Sequence, residues 1–86
     1  VYDATDQTIH LPLAWTGGTP EELSILVHEL VHYIQHVAGL KYECPQAREE
    51  AAYDAQRKWL ALSGHDLMRD FDLDALTLLV RTRCLY

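Results

Sequence analysis

Apolar positions recur at helical spacing in three stretches of the chain, and each stretch is bounded by residues that start or stop helices. Good helix formers run from Glu21 to Ala38. Thr19-Pro20-Glu21-Glu22 reads as an N-cap, a proline at the first helical position and acids in the first turn. Gly39 follows the last periodic residue and ends this first helix, predicted over about residues 20–38. Pro45 opens a second helix, predicted over about 45–63 and stopped by Ser63-Gly64. His65 to Asp70 reads as a polar connection or a short helix. A third helix is expected from Asp72 or nearby to about Arg83, with Leu73, Leu76, Leu79 and Val80 as its apolar stripe.

The first eighteen residues lack this period. Thr8, Ile9, His10, Leu11 and Leu13 suggest one short strand after a turn at Ala4-Thr5-Asp6-Gln7, and Tyr2 can begin its partner strand. Pro12 confines the strand to an edge or ends it early. Trp15-Thr16-Gly17-Gly18 is a loop, and Trp15 and Trp59 are expected in the core. The fold class is therefore α+β and mostly helical, one compact domain over residues 1–86.

Composition narrows the function classes. Eighty-six residues lie near the lower limit for an unassisted hydrophobic core, and 49% hydrophobic residues argue for a globular chain. A net charge of −6 speaks against nucleic acid as a partner. There is no apolar run long enough to span a membrane. The chain begins at Val1 without methionine, as a processed or trimmed form does, so any signal peptide would lie outside it.

The chemistry is concentrated at His28-Glu29-Leu30-Val31-His32, an H-E-x-x-H pattern inside the first helix. Residues at i and i+4 share one helix face, so both imidazoles can reach a single metal ion. Glu29 lies about 100° round the helix, where its carboxylate serves as a base beside the metal and not as a ligand. This arrangement suits the activation of a water by zinc for peptide hydrolysis. The bland reading is two half-buried histidines on an amphipathic helix.

A catalytic zinc commonly takes three protein ligands, so the second helix should supply one more. Ala52, Tyr53, Gln56, Trp59 and Leu60 fall within roughly 80° of Glu49. That places Glu49 on the mostly apolar stripe, where a carboxylate is costly unless something pairs with it. Glu50 shares its arc with Asp54, Arg57, Lys58 and Ala61, the solvated face. Glu49 is the preferred third ligand of one Zn2+ per chain. Glu50 is the alternative, with Asp54 behind it as a carboxylate that could orient a ligating histidine.

On these residues the chain resembles the gluzincin metallopeptidases, which carry H-E-x-x-H on one helix and a glutamate ligand on a following one. Glu49-Glu50-Ala51-Ala52-Tyr53 fits their E-x-x-A form, with Tyr53 where Asp or Asn is commoner. The segments Val27 to Gln35 and Cys44 to Trp59 look like small bacterial gluzincins and the compact minigluzincins. The resemblance covers roughly residues 8–60. It implies a minimal zincin-like domain with an N-terminal strand or hairpin, two active-site helices and a C-terminal helix. It also implies zinc-dependent hydrolysis of a peptide or protein substrate, with Glu29 as general base. Metzincins are excluded because Gln35 and Ala38 stand where Gly and His are needed, and peptide deformylases because their Cys ligand and Gly-rich strand are missing.

Other residues near the pattern are candidates of lower weight. His36 lies one turn beyond His32 and could line the cleft or donate to an oxyanion. Tyr53, on the face of Glu49, could orient a ligand or pack in the core. His10 could face the cleft or solvent, the strand around it could bind a peptide by edge pairing, and His65 has no evident role. Two further readings of the whole chain compete: an inactive module stapled by zinc, and a metal-free helical interaction domain.

Cys44 precedes the second helix and Cys84 ends the third. If those helices run antiparallel through Ser63-Gly64, the thiols come within bridging range, with Cα atoms about 4.4–6.8 Å apart. Such a bridge would clamp the third helix over the ligand-bearing helix. It would place the protein in an oxidising compartment, secreted or in the cell envelope; free thiols would instead fit the cytoplasm.

Overall fold

The computed structural model describes residues 1–84. A two-stranded antiparallel hairpin opens the chain. Its strands β1 (Tyr2–Asp3) and β2 (Thr8–Ile9) pair Tyr2 with Ile9 and Asp3 with Thr8. The pairing is shorter than the strand expected through Leu13: beyond Tyr2 and Ile9 it continues only as hydrogen bonds between Val1 and His10.

Helix α1 (Pro20–Val37) is fastened at its start. Thr19 Oγ1 accepts from the Glu22 N–H at 3.1 Å. The Glu22 carboxylate in turn accepts from the backbone of Thr16 and Gly18 and from both threonine hydroxyls. These bonds, led by the Thr16 N–H, hold the Glu22 carboxyl below its ordinary pKa. The indole of Trp15 donates to the Glu22 carbonyl at 2.7 Å. Gly17 has φ +73°, and a Cβ there would lie 2.8 Å from the Trp15 ring, so only glycine fits this loop. Gly39, also at positive φ, closes the other end of α1, where Leu40 N–H donates to the Gln35 carbonyl.

The second helix differs from expectation in its first turn. Pro45–Arg48 is a 3-10 turn, with Ala47 N–H on the Cys44 carbonyl, and regular α2 spans Glu49–Leu62. A short α3 (Leu67–Asp70) follows, capped by Asp66. Asp72 then adopts φ +52°, so the last helix cannot begin there. It begins at Ala75, with the Asp74 carboxylate accepting from Thr77 N–H, and α4 ends at Thr82.

The face that α4 buries corrects the sequence reading. Leu76, Leu79 and Val80 are exposed, at 69%, 50% and 45%. Thr82 is buried instead, and Leu73, Thr77 and Leu78 are half-buried. The buried threonine is tolerated because its hydroxyl donates to the Leu78 carbonyl at 2.8 Å. Just beyond the end of α4, Cys84 bonds to Cys44 with Cα atoms 5.9 Å apart.

α1 and α2 form the main contact, and they run antiparallel: Ser24 meets Gln56, whereas Gln35 meets Arg48. The fully buried apolar side chains are few, chiefly Leu60, Leu67 and Ala52. Trp15 and Trp59 are half-buried and not central. On α1 the buried residues are Ser24, Glu29 and Gln35, all polar, while Ile34 and Val37 face outward. No described helix is long and apolar enough to cross a membrane.

So small a core makes the covalent link important. The disulfide closes a loop with a sequence separation of 40, worth about 4 kcal/mol by loop entropy. Reduction should therefore lower the melting temperature by roughly 15 °C or more. Melting followed by circular dichroism with and without a reductant checks this, and thiol titration of the unfolded, non-reduced protein should find no free sulfhydryl.

Candidate metal centre

α1 presents His28 and His32 one turn apart, with ring centroids 5.1 Å from each other. α2 begins at Glu49, whose Oε2 lies 2.7 Å from His28 Nε2 and 3.1 Å from His32 Nε2. One donor atom from each residue lies within 4.8 Å of the others. The helical phase that put Glu49 on the inner stripe thus agrees with its position. Glu50 is exposed and 3.9 Å from Arg83. Asp54 pairs with Arg57 and Lys58 and does not stand behind a histidine.

The far sides of the two rings decide what the near sides can do. Gln35 Nε2 faces the Arg48 carbonyl at 3.0 Å, and a carbonyl can only accept. The Gln35 amide is therefore oriented with Oε1 towards His32 Nδ1, at 2.9 Å, so Nδ1 carries the hydrogen. The same reasoning holds for His28. Ser24 Oγ donates to the Glu21 carbonyl and so accepts from Gln56 Nε2. Gln56 Oε1 then accepts from His28 Nδ1 at 2.9 Å. In each neutral imidazole the lone pair is on Nε2 and points at the Glu49 carboxylate. Two lone pairs and one carboxylate oxygen converge where a cation belongs.

Without a metal the Glu49 carboxylate lies at hydrogen-bond distance from both rings. Burial pushes the Glu49 pKa up, but hydrogen bonds from His28 and His32 outweigh it and hold the carboxyl down at about 2. The Glu49 carboxylate raises the His32 pKa from its usual 6.5, against the opposing effect of burial.

Glu29 is buried and does not join the three donors. It lies between two clefts, one of about 310 Å³ beside His28 and one of about 450 Å³ beside His32. The backbone nitrogen of Val1 approaches Glu29 Oε2 at 3.5 Å, so the start of β1 abuts the carboxylate.

His36 lines the cleft on the His32 side, and its Nδ1 bonds with the Tyr2 hydroxyl at 2.9 Å. Tyr53 packs edge-on against His28, with centroids 4.6 Å apart, and its hydroxyl accepts from Arg81. His10 is exposed on the hairpin beside Asp3 and Asp6. His65, without a role in the sequence reading, sits between Glu21 and Asp70 and ties the start of α1 to α3. Sequence reasoning missed Gln35, Gln56 and Arg81 as site residues. Gln56 did fall on the face of Glu49, and a glutamine on a buried stripe is itself a signal.

A pH dependence follows for the metal-free protein. Glu49, depressed from 4.5, stabilises the fold above that value, and the contribution is lost as pH falls towards about 2. His32, raised, stabilises below its usual 6.5, and its contribution is lost as pH rises through the folded value. Urea unfolding in chelator should give a stability maximum between about pH 4.5 and 6.5, and Glu49→Gln should flatten both limbs.

No curated protein and no solved structure matches the chain. One family model, described as a domain of unknown function (DUF6647), matches residues 1–86, and the chain belongs to that family.

Proposed function

We propose that the chain is a zinc-dependent peptidase of gluzincin type, with the hairpin, α1 and α2 serving as a minimal zincin-like site. The observation that supports this most is the enforced convergence of His28 Nε2, His32 Nε2 and Glu49 Oε2 beside a buried Glu29. The donor set suits the metal: two imidazole nitrogens and one carboxylate are a common catalytic zinc set. Zinc held there would act as a Lewis acid and lower the pKa of a water molecule towards neutrality.

The remaining work falls to the chain. Gln35 and Gln56 fix the ring tautomers and orientations. Glu29 accepts the proton of the attacking water and passes it to the leaving amine. The clefts on either side of Glu29 receive the polypeptide before and after the scissile bond. A zinc that merely stapled α1 to α2 would be served by the three donors alone and would not need Glu29. The Cys44–Cys84 bridge accords with work outside the cytoplasm, in the cell envelope or beyond.

Protein purified without chelator should contain one zinc per chain by elemental analysis. Glu49→Ala should lose it and Glu50→Ala should keep it. Glu29→Gln should keep both zinc and fold while peptide cleavage disappears. Absence of a transition metal even after zinc addition would sink the proposal and favour a metal-free interaction domain. Zinc without cleavage in the wild type would favour the stapled module.

The glutamines give a separate test. Gln35→Leu or Gln56→Leu should weaken zinc binding by about tenfold to a hundredfold, with all three ligands intact. Competition against a chromogenic chelator measures this directly.

A further inference from the structure

One basic residue serves both clefts that contain His28. Arg81, on α4, lines the cleft of about 310 Å³ and also the adjoining one that holds Glu49. Its Nη1 donates to the Tyr53 hydroxyl at 3.1 Å, and it forms no ion pair among the described residues. Lys41, Arg48 and Arg69 likewise have no ion pair among the described residues, but Lys41 and Arg48 line the cleft on the His32 side, away from His28. Arg57 and Arg83, by contrast, have carboxylate partners in Asp54 and Glu50.

The guanidinium is also held in place. Tyr53 packs on His28, and Arg81 is bonded to Tyr53, so one short chain of contacts sets the cation relative to a candidate ligand. Beyond Thr82 the disulfide anchors the end of α4 to the start of α2. The cleft that Arg81 lines is mixed in character, with Ile25, Phe71 and Leu73 as half-buried apolar surface and Glu29, Asp72 and Thr77 as polar neighbours. The fork of an arginine matches a carboxylate with two parallel hydrogen bonds, and most of its N–H groups have no partner here.

Building on the peptidase reading, we infer that Arg81 binds the terminal carboxylate of a peptide whose last residue is apolar, with that side chain seated against the half-buried Phe71 and Leu73. An acidic side chain carries the same group. The terminal carboxylate fits better, because the same cleft offers Phe71 and Leu73 to the apolar side chain that sits beside it in the last residue.

The test measures binding without turnover, by calorimetry on zinc-supplemented Glu29→Gln protein. The probes are N-acetyl-Ala-Ala-Leu as the free acid, its C-terminal amide, and N-acetyl-Ala-Glu-Leu amide. The free acid should bind about tenfold or more tightly than its amide. Adding Arg81→Ala should erase that difference, Arg81→Lys should keep part of it, and zinc content should not change. Equal or undetectable binding of acid and amide would overturn the inference, as would a preference that survives Arg81→Ala. Equal binding of the glutamyl amide and the free acid would move the assignment to an acidic side chain and overturn the terminal one. A carboxylate preference in protein that takes up no zinc and cleaves nothing would keep Arg81 and defeat the peptidase reading alone. Zinc and cleavage without the preference would do the reverse.

Discussion

Two backbone carbonyls govern this domain from behind its histidines. The carbonyl of Arg48 turns Gln35, and that of Glu21 turns Gln56 by way of Ser24. Each glutamine then orients an imidazole. The seam between α1 and α2 is consequently a ladder of polar side chains, paired rung by rung, where most small domains place leucine and isoleucine. Such a seam is favourable only while every rung is satisfied, since an unpaired buried polar group costs about 1–3 kcal/mol. The requirement for complete pairing is what holds two lone pairs and a carboxylate against one another.

A seam of that kind leaves the domain short of hydrophobic burial, and two devices compensate. The disulfide limits the unfolded chain. The tightly bonded start of α1 secures the end of the ladder away from Glu49. The disulfide has a second effect, because it seats α4 as a wall of the cleft, with Tyr53 and Arg81 joined across it. Stability and the shape of the cleft therefore share one covalent bond.

Much of this was legible in the sequence, for reasons of phase. His28 and His32 had to share a face, and Glu49 had to lie on the inner stripe of α2 while Glu50 did not. Capping chemistry placed both ends of α1, and antiparallel helices brought Cys44 to Cys84. The failures have a common source. Reading an apolar stripe as a buried stripe assumes that a partner surface exists, and α4 instead turns Leu76, Leu79 and Val80 outward and buries Thr82. Gln35 was invisible as an orienting group because an isolated glutamine on a helix is usually a solvated residue, and Gln56, although on the inner stripe, had no partner that phase alone could name. Their role depends on carbonyls brought near by tertiary packing.

The fastening of Glu22 to Thr16, Gly18 and Thr19 makes α1 a helix with a fixed origin. From that origin His28 is reached by counting, and the count is indexed again by the ladder against α2. A residue inserted or deleted between Leu23 and Val27 would rotate the second index against the first by about 100°. No adjustment of side chains restores both, so the helix must surrender either its capped start or its alignment with Glu49. That short span is intolerant of length change even though it holds none of the three donors, whereas the connection over Lys41 and Tyr42 lies outside both indices and can absorb such a change.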